Sequence, residues 1–261
     1  MKQFIHRLSL SVYTLVIFFS IVALTYIGYS YYKLPIEERF FHPYYALLKP
    51  SGILGHGLGI VGSFLIVFGL FSYSIRKRIK LFARVGVLKY WLEFHIFLCS
   101  LGTVMILFHT TFKFGGVVTI GFWSLVIVWL SGVVGRFIFL QIPRTIEGRE
   151  LTRHELLDYK ADLELELTNK YDIDLSEMKS NKFSEIKSML RMKNISNHDY
   201  RKVKRLAWKQ NTLGYRIENL DRMQNLFKYW HVAHLPFTLI MLIIMVVHIA
   251  VVLTFGYKWI F

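Results

Sequence analysis

The chain is poor in cysteine and poor in acid. One cysteine, Cys99, occurs in 261 residues, so no disulfide can close within the chain. There is also no Cys-x-x-Cys-His for a covalently attached haem. Asp and Glu number 17 against 32 Lys and Arg, a net charge of +15. Such a balance would suit nucleic acid, but the cations collect in short stretches between apolar runs, as cytoplasmic loops of membrane proteins do. No nucleic-acid partner is expected. Long polar stretches are scarce outside residues 143–228, and that segment is nearly free of glycine and proline after Gly148. It holds no phosphate-binding glycine loop, no metal-ligand cluster and no internal repeat.

Apolar surface is abundant. Hydrophobic residues make up 54% of the chain, and the mean hydropathy of +0.40 is high for a soluble domain of this size. A bilayer core of about 30 Å takes roughly 20 helical residues to cross. Five runs qualify, at about 9–30, 52–74, 88–110, 117–140 and 230–256. Spanning segments in lipid must satisfy their own backbone, which favours helices. The expected fold is all-α: a polytopic membrane helical bundle of about five transmembrane helices with a helical cytoplasmic insert. The expected segments are 1–142 (spans one to four), 143–228 (the insert) and 229–261 (span five and a short outer tail). The N-terminal run, preceded by Lys2 and Arg7, is too long for a signal peptide and lacks a small-residue cleavage site. It reads as an uncleaved first span in contact with membrane lipid.

The loop RKRIKLFARVGVLK carries Arg76, Lys77, Arg78, Lys80, Arg84 and Lys89 and no acid, and is therefore expected in the cytoplasm. That puts the N-terminus inside and the C-terminus outside an inner membrane. In the insert, LTRHELLDYKADLELELTNKY reads as a helix whose Thr152 and Glu155 have capping-box spacing. FSEIKSMLRMKN and HDYRKVKRLAWKQ read as shorter helices, and GYRIENLDRMQNLFKYW as the lead into span five. The basic stretch from Arg201 to Lys209 suits either a solvated helix face or anionic lipid.

Four histidines lie inside the apolar runs: His95 and His109 in span three, His234 and His248 in span five. Each pair is fourteen positions apart. A helix rises about 1.5 Å and turns about 100° per residue, so fourteen residues give about 21 Å and come 40° short of four turns. Each pair therefore lies on nearly one face at two depths. Spans three and five run in the same direction, so His95 falls level with His234 toward the cytoplasm, and His109 with His248 toward the outside. A single buried histidine is accounted for by a helix–helix hydrogen bond. Four at matched spacing on parallel spans point to ligation, because ionisable groups in membranes are rare and functional. Two imidazoles from opposite sides suit a haem iron with both axial positions filled. His231 competes with His234 but lies about 100° from the common face of His248; it suits a propionate or a quinone at the inner edge. Pro236, two positions after His234, either kinks the helix or lies in its first turn.

Paired His-x13-His spans resemble the di-haem membrane cytochromes b, namely the respiratory cytochrome b core and the ferric-reductase-like domains. The resemblance covers chiefly spans three and five. It implies two stacked haems b held by His95, His234, His109 and His248, with glycines letting porphyrins pack on helix backbones. Gly102 falls midway between His95 and His109, and Gly55, Gly59, Gly62 and Gly69 form one stripe in span two; small residues also serve plain helix contact. The chain lacks the Pro-Glu-Trp-Tyr motif of bc-type cytochromes and the nucleotide-binding domain of ferric reductases.

Further candidates are His56, as a quinol-site base, a contact to the outer haem or a ligand of a third, and Glu93 and Arg136 near the inner pair. Arg136 suits a haem propionate or a snorkelling position, and Lys113 an outer propionate. His6, His42, His154 and His198 have no evident partner. The sequence thus reads as a di-haem cytochrome b subunit carrying electrons between a quinone pool or membrane donor and a partner redox protein, a multihaem c-type cytochrome or another oxidoreductase subunit. A ferric-reductase-like or quinone-reducing subunit fed by a separate flavoprotein, and a haem-free membrane scaffold, are the alternatives.

Overall fold

The computed structural model describes residues 2–79, 82, 86–143, 150–171 and 197–255. Its long elements are helices: α1 (Lys2–Tyr32), α2 (Tyr45–Leu48), α3 (Ile53–Arg78), α4 (Leu88–His109), α5 (Gly116–Gln141), α6 (Arg153–Tyr171), α7 (Asn197–Glu218) and α8 (Leu220–Thr254), with a 3-10 turn at Glu38–Phe41. Among the described residues, five stretches are long and apolar enough to cross a membrane: Ile5–Tyr32, Tyr45–Arg78, Leu88–His109, Gly116–Gln141 and Leu220–Thr254. The protein is a multi-pass, all-α membrane protein. Large apolar side chains face outward, including Phe19, Val117 and Leu253, the last 73% exposed; in water such a surface would aggregate, and in lipid it is at rest.

The backbone divides into two compact units. The first is Met1–Arg136 with Trp230–Phe261, the second Phe137–Tyr229; the boundaries fall within α5 and α8. The helix of the fifth span begins at Leu220, ten residues before the apolar run. Pro236 lies well inside α8, not in a first turn, and removes one backbone donor there.

In the first unit, α3 and α4 form the main packed pair. Gly62 and Gly102 face each other across it. A Cβ on Gly102 would come within 2.8 Å of the Gly62 carbonyl, and one on Gly62 within 3.0 Å of the Gly102 carbonyl. Helix association in lipid relies on such close approach, because lipid tails offer no hydrophobic penalty to drive it. Ile66, Leu125 and Met241 form a small core that joins α3, α5 and α8.

At the other end of these helices, Arg39 is buried and donates to three carbonyls: Leu34 at 3.0 Å, Tyr32 at 3.0 Å and Thr111 at 2.6 Å. It lies against the Tyr31 ring, 5.3 Å from its centroid. The guanidinium fork serves acceptors at the C-terminal ends of α1 and α4, where the helix dipole is negative. Thr111 and Phe112 have φ of 51° and 59°, left-handed values uncommon for non-glycine residues.

In the second unit, Leu156 and Leu163 of α6 pack with Leu213 and Ile217 of α7, together with Ile142 and Leu220. The expected capping box starts α6: the Glu155 carboxylate accepts from the Thr152 backbone N–H at 2.8 Å, and Glu155 N–H donates to Thr152 Oγ1 at 3.3 Å. Gln210, buried on α7, donates to Glu164 at 2.7 Å, so its amide is not orphaned. The stretch FSEIKSMLRMKN lies outside the described residues.

Candidate functional site

Two glycine carbonyls on α3 orient two histidines on α4. His95 Nδ1 lies 2.8 Å from the Gly69 carbonyl and His109 Nδ1 lies 2.8 Å from the Gly55 carbonyl. A carbonyl only accepts, so each Nδ1 carries the proton and each Nε2 is left with its lone pair. The two glycines are fourteen positions apart, as are the two histidines. The same four-turn repeat is thus used twice on antiparallel neighbours. Gly59 completes the arrangement, since a Cβ there would strike the His109 ring at 2.9 Å.

His234 on α8 has a different partner. Its Nδ1 lies 2.6 Å from Ser131 Oγ on α5, and that hydroxyl donates to the Val128 carbonyl at 2.9 Å. The hydroxyl's one proton is thereby spent, so it accepts from His234 Nδ1–H and again Nε2 keeps its lone pair. Trp230 lies beside the His234 ring, centroids 4.9 Å apart, and donates to the Ser131 carbonyl at 2.7 Å. Gly135 makes room for that indole.

The four histidines meet in two pairs. His95 and His234 line one cleft, with Ile66, Leu70, Cys99 and Trp129 among its walls; it holds about 500 Å³ of atom-free space, its open side included. His109 and His248 stand with ring centroids 6.5 Å apart at 60°. The two pairs are one fourteen-residue repeat apart along both helices, which run parallel. His248 makes no hydrogen bond among the described residues. His56 lies within electrostatic range of both His109 and His248, and His231 within that of Lys77 and Arg78.

The other candidates fall elsewhere. Gly55 packs on the Lys49 carbonyl, and Gly62 and Gly102 serve the α3–α4 contact. Lys113 is exposed in the turn after α4. Arg136 is already engaged: its guanidinium lies 3.3 Å from the buried Glu93 carboxylate. Glu93 also meets His6 Nδ1 at 3.4 Å and Lys89 at 3.9 Å, so one carboxylate gathers basic side chains from α1, α4 and α5. The sequence left His6 without a partner, because nothing local announces a contact between positions 6 and 93. Ser131 was missed for the same reason; its signal was a hydroxyl in an otherwise apolar run.

Compared with known protein families, curated proteins and solved structures, the chain matches none.

Proposed function

We propose that the protein is a di-haem b-type cytochrome subunit that carries electrons across a cytoplasmic membrane. The observation that carries this reading is the His109–His248 pair. An imidazole nitrogen bonds a metal at about 2 Å, so one iron could be held between two imidazoles whose ring centres stand roughly 6 Å apart. The separation here is 6.5 Å. The donor chemistry fits as well, because His95, His109 and His234 each have Nδ1–H held by an oxygen and a ligating nitrogen to spare.

When bound, haem b would supply a one-electron couple, held by His95 and His234 and by His109 and His248. The chain's own residues set its surroundings. The Gly55 and Gly69 carbonyls and the Ser131 hydroxyl fix the imidazole tautomers. The apolar walls around His95 and His234 exclude water. The basic loop after α3 supports a reading in which the His95–His234 pair lies toward the cytoplasm and the His109–His248 pair toward the outside. His56 near the outer pair and His231 near the inner edge are the positions where a quinone would exchange protons. The redox partner is a multihaem c-type cytochrome or another oxidoreductase subunit.

A second reading, a haem-free scaffold, draws on the same two carbonyl bonds, which tie α4 to α3. It leaves His248 without a task, since that ring makes no hydrogen bond among the described residues. A dithionite-reduced minus oxidised spectrum of the purified protein, with haem quantified per chain as the pyridine haemochrome, separates the two. The cytochrome reading expects two haems b, and one after His109→Ala or His248→Ala. Protein expressed with ample haem that carries none leaves the scaffold.

A further inference from the structure

We propose that α7 docks on an anionic lipid surface through the face it turns away from α6. Val203, Ala207, Gln210, Leu213 and Ile217 are the buried side of this helix. At about 100° per residue, Arg201, Arg205, Trp208, Thr212 and Arg216 fall in one sector about 80° wide on the far side. Lys202, Lys209 and Tyr215 flank that sector, and no acid falls within it. Trp208 is 55% exposed and Tyr215 40%. Lys209 turns partly aside, its ammonium over the Tyr159 ring at 4.6 Å.

Charge is segregated within the hairpin. α7 carries six Lys or Arg against two acids, whereas α6 carries five acids against three Lys or Arg. A face built only for solvation mixes its signs, as α6 does. A face of cations around exposed aromatic rings matches the chemistry of a membrane interface: phosphate headgroups outside and an amphipathic layer just beneath. Tyrosine and tryptophan settle at that depth because one end is apolar and the other wet. Along the chain, residues 219–229 link α7 to Trp230, where the first unit resumes.

The test uses the full chain in lipid nanodiscs. A spin label is placed at Thr212→Cys on the cationic face, in a Cys99→Ala background, with Asp162→Cys on α6 as a control. Collision with a water-soluble nickel complex reports exposure, in phosphatidylcholine alone and with about one-third phosphatidylglycerol. Accessibility at 212 should fall severalfold in the anionic discs and recover at about 0.5 M salt, where the Debye length is about 4 Å; position 162 should not change. Each cation at the surface contributes about fivefold to partitioning. Replacing Arg201, Lys202 and Arg205 by Gln should therefore cut the docked-to-free ratio on the order of 100-fold. Equal accessibility in both lipids overturns the proposal. So does protection that persists in phosphatidylcholine, or that arises only on adding an acidic protein or nucleic acid. The lipid and salt comparisons need no variant of the cationic face, so the result does not depend on the triple substitution folding.

Discussion

The His109 imidazole donates from Nδ1 to the Gly55 carbonyl at 2.8 Å, and the same bond joins His95 to Gly69 one four-turn repeat away. A backbone carbonyl in an α-helix already accepts from the N–H four residues on, so the Gly55 oxygen serves two donors, and the Gly69 oxygen, to which Ser72 Oγ also donates at 3.0 Å, serves three. Glycine is suited to this because without a Cβ the imidazole can reach the oxygen alongside the helix. Replacing Gly59 by Leu is expected to displace the His109 ring, which a Cβ there would meet at 2.9 Å. On the di-haem reading, the difference spectrum should lose one haem b of two and keep the other.

Ser131 acts on the other pair. Ser131→Ala removes the acceptor that holds His234 Nδ1–H. Loss of an outer partner of a metal-bound histidine typically costs about 10–100-fold in affinity. On the di-haem reading, haem titration of the haem-free protein should show one weakened site of two. If both sites bind as in the wild type, Ser131 has no orienting role.

Breaking the Glu93 cluster should be costly. Glu93 is 5% exposed, and Glu93→Ala leaves the Arg136 guanidinium without its carboxylate. Removing one partner of a fully buried ion pair destabilises by about 3–5 kcal/mol, less here because the Arg136 side chain is 34% exposed, whereas replacing both partners by apolar residues is far milder. Unfolding in mixed micelles should therefore rank Glu93→Ala below the Glu93→Ala/Arg136→Met double variant. An additive double variant would mean that the two side chains do not interact.

Arg39→Ala strips three carbonyls of their shared donor. Orphaned acceptors cost about 1–3 kcal/mol each when buried, reduced here wherever water can reach the turn. Faster proteolysis in the Glu38–Lys49 loop is expected. Arg39→Lys should rescue little, because a point ammonium cannot span acceptors placed for a planar fork.

Gly62→Val tests the close approach of α3 and α4. The added branches would meet the Gly102 carbonyl, 3.0 Å from the Cβ position alone. Overpacking costs about 1–3 kcal/mol, so the midpoint of thermal unfolding in detergent should drop by several degrees. An unchanged midpoint would mean that the helices can separate without loss.

The sequence by itself determined the class of the molecule. Five apolar runs made a helical membrane bundle unavoidable, because lipid leaves the backbone no other economical way to bond. It also determined which histidines share a face, since helix pitch is constant and fourteen residues return to it. The Thr152–Glu155 cap was legible for the same reason, its contact being local. What only the tertiary structure decided are the contacts between helices distant in sequence. Gly69 and Gly55 became hydrogen-bond acceptors, Ser131 became the partner of His234, and Arg136 became committed to Glu93 together with His6. A pattern repeated every few residues records which face a side chain occupies, but not what stands opposite it. That depends on which helices come together and at what height, and here close glycine packing set both.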